Sequence, residues 1–243
     1  MKTILSIVAI AAVSSSASGA LVAAWDFQTT TNGGTALVVS PSTPTTLVAN
    51  FGAGSLYLNG TNGSSSFFIP ATGSTNTEVN SFSGTTVNAD AGIGLSTTTT
   101  GAAALAIANS SANGKSLAFL LNLTGLQNLT VSLAAQRTNS GFTSQVWETS
   151  SDGTNWSTWG SFTSGTTAGT LATAFATSGV LSLTGTSALD NAATAYVRVT
   201  FTGASSSTGN NRLDNIIFNA DVVPTPGAVA LLGLAGLVIR RRR

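Results

Sequence analysis

Between residues 21 and 221 the chain is a succession of short apolar or alternating runs, and this alternation limits the fold more than any other feature. In LTVSLAAQ, residues 129–136, Leu129, Val131 and Leu133 fall on one side of an extended chain. In AYVRVTF, residues 195–201, Val197, Val199 and Phe201 face away from Tyr196, Arg198 and Thr200. AFLLNL at residues 118–123 and SQVWETS at residues 144–150 read as two further strands, and clusters of Gly, Asn, Ser and Thr separate all of them. Helical periodicity is nearly absent, so the expected fold is all-β, a single sandwich with one apolar and one wet face to each sheet. A domain of this size buries about 70% of its unfolded surface and folds without a staple. It has to, because the chain contains no cysteine. Residues 40–100 give no clear strand pattern, and Pro41, Pro44 and Pro70 argue against central strands nearby.

Charge is scarce and unevenly placed: nine basic and eight acidic residues give a formal net charge of +1. Removal of Lys2 and the four C-terminal arginines would leave Lys115, Arg137, Arg198 and Arg212 against eight acidic residues, a net of −4. Four scattered cations make no phosphate-tracking surface, so no nucleic-acid partner is expected.

The two ends carry addresses. Residues 1–20 have one positive charge at Lys2, a ten-residue apolar run at 4–13 and small residues through Ala20, the three-part pattern of a secretory signal. Cleavage is expected after Ala20, with Ala24 as second choice. Residues 222–243 end VVPTPGAVALLGLAGLVIRRRR. Pro224 and Pro226 hold an extended segment, and Gly227 lets a helix begin. Residues 228–239 would rise only about 18 Å as a helix, short of a hydrocarbon core of roughly 30 Å. Arg240, Arg241, Arg242 and Arg243 then act as a cytoplasmic stop. The expected topology is an exported domain tethered by a short transmembrane helix, with the arginines inside.

This tail resembles the PEP-CTERM sorting signal, in which a proline motif, a short apolar helix and an arginine cluster end flush with the chain. The motif here is Val223, Pro224, Thr225, Pro226 and Gly227, with Thr225 where Glu is usual. The resemblance implies recognition by an exosortase-type processing enzyme at the inner membrane. Release or transfer to the cell envelope would follow, often in bacteria that make extracellular polysaccharide. An ordinary C-terminal membrane anchor is the alternative.

Two constellations stand out within the domain. VWETSSDGTNWSTWGSF, residues 146–162, places Asp152-Gly153 as a turn between two strand-like segments. Its three tryptophans, Trp147, Trp156 and Trp159, would form a platform for sugar rings, or else fill the core or cover a sandwich edge. The second joins AWDF at residues 24–27 to NNRLDNIIF at residues 210–218, both read as edge strands of one domain. The RLDNI segment is similar to the closing strand of jelly-roll carbohydrate-binding modules, in which first and last strands lie close and share a structural calcium. That resemblance implies a jelly-roll-like sandwich with a calcium held by Asp26, Asp214 and Asn215. The alternative is two aspartates capping turns or pairing with Arg212.

With neither His nor Cys, Ser-His-Asp and Cys-His catalysis and the usual zinc sites are excluded. A glycoside hydrolase would need two carboxylates, and Glu148 with Asp152 is the nearest pair in sequence. The expected function is a non-catalytic envelope or extracellular-matrix protein. A carbohydrate-binding module is the alternative, and a glycosidase a more distant one.

Overall fold

Leu129, Val131 and Leu133 do share a face, and so do Val197, Val199 and Phe201: all six are buried in one core. In this computed structural model the described residues are 19–27, 46–58, 78–95, 103–175 and 180–224. The residues before 19, in the segment read as a secretory signal, and those from Thr225 onward, in the segment read as a sorting tail, lie outside them, as do Pro41, Pro44 and Pro70. None of the described residues forms a helix long and apolar enough to cross a membrane.

Among the described residues, thirteen strands follow one another with a single 3₁₀ turn at Ser110–Ala112. They are β1 (Ala20–Trp25), β2 (Thr46–Val48), β3 (Phe51–Gly52), β4 (Gly54–Tyr57), β5 (Val79–Ser83), β6 (Ala103–Ala108) and β7 (Ser116–Leu121). After the long β8 (Leu126–Arg137) come β9 (Ser144–Ser150), β10 (Ser157–Thr163), β11 (Val180–Thr186), β12 (Ala195–Thr202) and β13 (Asn210–Val222). The fold is an all-β sandwich. One sheet runs β11-β8-β13-β1-β3, with β6 also on β13 and β5 on β6; the other runs β10-β9-β12-β7-β4-β2.

Aromatic side chains from both sheets meet at Phe119 of β7. Its ring lies 5.3 Å from Trp25, 5.0 Å from Phe218 and 6.1 Å from Trp147, the last pair stacked. Edge-to-face and offset pairs of this kind add to the area they bury. The Trp25 indole N–H also donates to the Leu47 carbonyl at 3.1 Å, so the only polar atom of that ring is satisfied.

The segment NNRLDNIIF is not an edge. β13 lies between β8 on one side and β6 and β1 on the other, so its polar residues are at the centre of a sheet. β1 is likewise interior, between β13 and β3. The first and last strands do pair, as expected, with Ala20 opposite Ala220. Val222 ends β13 and the Val223 amide donates to the Gly125 carbonyl at 2.9 Å, so folded chain runs two residues into the segment read as tail.

Candidate functional sites

β13 changes partner along its length. Residues 210–213 pair with β6 and residues 216–220 with β1. At the handover the β13–β8 register slips between Asp214 and Ile217, and Asn215 takes a left-handed φ of 46°. Asn tolerates that conformation better than most residues, and a bulge of this kind re-aims side chains. Asp214 and Asn215 are fully buried there. A loop after β5 supplies their partners. The Thr85 amide donates to Asp214 Oδ2 at 2.7 Å, and Asn215 Nδ2 donates to the carbonyls of Thr85 and Val87 at 2.9 and 2.8 Å. Asn88 Nδ2 in turn donates to the Asn215 carbonyl at 2.7 Å and to Ser132 Oγ at 3.2 Å.

Two features set the electrostatics of this junction. Burial pushes the Asp214 carboxyl up to about 8 against the two amide hydrogen bonds it accepts, and the charge of Asp26 adds to the rise. Asn215 Oδ1 is buried with no hydrogen-bond partner, and the two carbonyls bound by Nδ2 fix which amide atom is which. Asp26 is itself buried, its amide held by Asn50 Oδ1 at 3.1 Å. Two carboxylates and an orphaned amide oxygen are donors a hard cation such as calcium accepts, and the donor set fits that group. Further ligands would be carbonyls or water, since no group of three acidic, His or Cys side chains suited to a metal occurs among the described residues. The three residues named from sequence are therefore brought to one junction. Arg212 is not their partner: its guanidinium lies 4.5 Å over the Phe82 ring and its Nε donates to Asn210 Oδ1.

The tryptophan segment divides. β9 and β10 pair as an antiparallel hairpin, with a six-residue loop in place of a two-residue turn. Asp152 organises that loop. Its Oδ1 accepts from the Thr154 and Asn155 amides at 2.8 Å, its Oδ2 accepts from Asn155 Nδ2 at 2.7 Å, and Gly153 takes φ 73°. Trp147 is not on a surface. It is fully buried against Phe119 and Phe162, so a three-ring platform does not form. Trp159 is half-buried against the core, where its indole donates to the Thr184 carbonyl of the other sheet at 2.9 Å. Trp156 alone reaches the outer face of the six-stranded sheet, 4.3 Å above the Arg198 guanidinium.

Register places Arg198 in a row that crosses five strands: Tyr57, Ala118, Arg198, Glu148 and Thr158. Arg198 Nε donates to Glu148 Oε2 at 2.6 Å, which fixes the guanidinium beneath the indole. Tyr196 lies two residues along β12 on the same face, and Tyr57, Tyr196, Arg198, Glu148 and Trp156 are all half-buried.

Neither carboxylate of the hairpin is poised as a general acid. Glu148 is paired with Arg198. Asp152 is held well below the usual carboxylate range, first by the Asn155 amide, then by the Asn155 side chain, the Thr154 amide and the Ser150 hydroxyl.

No family model matches the chain, and no curated protein does so. Among solved structures it is similar to a cleaved adhesin domain of Lys-gingipain from Porphyromonas gingivalis, at 10% identity and TM-score 0.39, over 82% of this chain and 97% of that one. It is also similar to the module TmCBM61 in complex with β-1,4-galactotriose, at 10% identity and TM-score 0.33, over 59% of this chain and 83% of the module. A third is the CBM22-1 and GH10 modules of endo-1,4-β-D-xylanase 10B from Clostridium thermocellum, complexed with xylohexaose. There the identity is 12% and the TM-score 0.34, over 51% of this chain and 23% of that one. At such identities and scores these neighbours assign neither a family nor a ligand.

Proposed function

We propose that this jelly-roll-like sandwich is an exported, non-catalytic domain that binds carbohydrate on the outer face of its six-stranded sheet. One observation carries the reading: Trp156 is held over the Arg198–Glu148 pair, in line with Tyr57 and beside Tyr196. An aromatic ring fixed by an ion pair offers a pre-ordered surface for the CH face of a sugar, and the charged and hydroxyl groups beside it can bond sugar hydroxyls. Titration of the full chain with neutral oligosaccharides, read by tryptophan fluorescence, tests this. Saturable quenching that disappears in Trp156→Ala supports it. Absence of quenching with any glycan overturns it and leaves the inert matrix role.

The terminal segments supply the address in this proposal. A signal peptidase cut after Ala20 leaves residues 21–25 of β1 in place, whereas a cut after Ala24 would delete most of a strand paired on both sides. An exosortase-type enzyme would then act on the tail at the inner membrane, and the domain would reside in the envelope or the extracellular polysaccharide.

We further propose that calcium occupies the strand handover, held by Asp26, Asp214 and Asn215. The orphaned Asn215 Oδ1 supports this, because an acceptor left unpaired inside a protein costs about 1–3 kcal/mol. A bound cation would remove that cost and offset the repulsion between the two aspartates.

A further inference from the structure

Arg137 ends β8 where the chain crosses from one sheet to the other. The segment that crosses back from β10 towards β11, described over residues 164–175, is pinned beside it at several points. Leu171 is buried in the core and its amide donates to the Thr163 carbonyl at 2.9 Å. The Arg137 amide donates to the Ala172 carbonyl at 2.8 Å, and the Phe175 amide donates to Gln136 Oε1 at 3.0 Å. Between this segment and β8 lies a cleft of about 370 Å³, lined by Arg137 and the hydroxyl-bearing Ser164, Thr166 and Thr173.

The other cations of the described residues are engaged. Lys115 pairs with Glu78 and Arg198 with Glu148, each at 2.6 Å, and Arg212 lies over Phe82. Arg137 has no carboxylate or aromatic partner among the described residues. Only its Nη1 is used, donating to the carbonyls of Thr138 and Asn139 at 3.1 Å each. Its Nε is buried without a partner. Nε and Nη2 form the fork edge of a guanidinium, the side that takes an oxyanion through two parallel hydrogen bonds. Here that edge is the one left unpaired, with its orientation fixed by the bonds from Nη1.

We infer that this cleft is a binding subsite for an oxyanion carried on a saccharide, either the carboxylate of a uronic acid or a sulfate half-ester. The hydroxyls of Ser164, Thr166 and Thr173 would take the ring hydroxyls beside the anion. The body of the ligand rests on the carbohydrate-binding reading above, whereas the anion contact does not. The cleft is also separate from the tryptophan loop: it adjoins the Thr163 end of β10, and Trp156 precedes the Ser157 end. Because the domain without its basic ends is net acidic, attraction must be local to the cleft and should weaken as salt is raised.

The test uses the full chain with three probes: trigalacturonate, a sulfated galactose trisaccharide and neutral galactotriose. Binding is followed by calorimetry and by amide NMR shifts. The expected result is that one or both anionic probes bind at least about tenfold more tightly than galactotriose, with shifts clustered at residues 164–174. Preference between the two identifies carboxylate or sulfate as the source. Arg137→Gln should remove the preference. Arg137→Lys, which keeps the charge but not the fork, should retain only part of it and controls for folding. Equal binding of all three probes, shifts elsewhere, or full affinity in a folded Arg137→Gln variant would overturn the assignment. Trp156→Ala separates the two readings, since it should abolish galactotriose quenching and leave the anion preference intact.

Discussion

Asp214 Oδ2 accepts the amide hydrogen of Thr85 at 2.7 Å, a contact between residues 129 apart that seals a carboxyl group beneath the loop after β5. Its pKa of about 8 gives that contact a pH signature. The unfolded carboxyl titrates near ~3.9, so between about pH 4 and pH 8 the folded chain holds a proton that the unfolded chain has lost. Stability therefore falls as pH rises through this window and levels off above it. With no His or Cys in the chain, no other side chain of ordinary pKa titrates between pH 5 and 8. Melts in chelator should show a midpoint several degrees lower at pH 8 than at pH 5, and Asp214→Asn should flatten the slope.

A cation at the same junction reverses the trend, since it binds the carboxylate and not the acid. At pH 8, calcium at about 100 times its dissociation constant should add about 2.7 kcal/mol, read as a rise of roughly 5 °C or more in the melting midpoint. Asp26→Asn or Asp214→Asn should abolish the rise. An unchanged midpoint in the parent chain would remove calcium from the account.

The tryptophans should separate by position. Trp147→Ala opens a cavity between Phe119 and Phe162 and should cost about 3–5 kcal/mol by denaturant unfolding. Trp156→Ala loses one partly exposed cation–π contact and should cost about 1 kcal/mol or less, leaving a folded protein without the proposed sugar surface.

Gly52 pairs with Ala23 at φ 72°, and a Cβ there would strike the Val22 carbonyl. Gly114 has φ 82° with nothing within 4 Å of a Cβ. Backbone strain is common to both positions and the collision is not. Gly52→Ala should therefore destabilise by more than Gly114→Ala, whose cost should stay near ~1 kcal/mol.

For the tail, Pro224→Ala with Pro226→Ala should leave the precursor in the membrane fraction if processing reads the proline motif. Equal fractionation of parent and variant would point to a plain anchor.

The strands were legible where alternation was clean. SQVWETS matches β9 residue for residue, and AYVRVTF matches β12 to within one residue, because a charged side chain in each run fixes which parity faces water. The same logic assigns Trp147 inward, since its neighbour Glu148 must face out. That signal was masked by Gln145 and Thr149, polar residues that share the buried side with Trp147. NNRLDNIIF reads as an edge because charges and amides seldom occupy a sheet centre. The strand handover that accommodates them depends on Thr85, Val87 and Asn88, which come from a segment without strand periodicity. Nor does any local pattern announce Arg137, since a cation without a partner is defined by what the folded chain fails to bring to it.

The pairing of Ala20 with Ala220 has a mechanical consequence. The start of β1 and the end of β13 lie at the same end of the sandwich. If the tail is held at the membrane while a ligand grips the opposite sheet, tension runs along β13 against β8 and β1 together. Such a strand resists in shear, with its flanking hydrogen bonds loaded in parallel and not peeled one at a time.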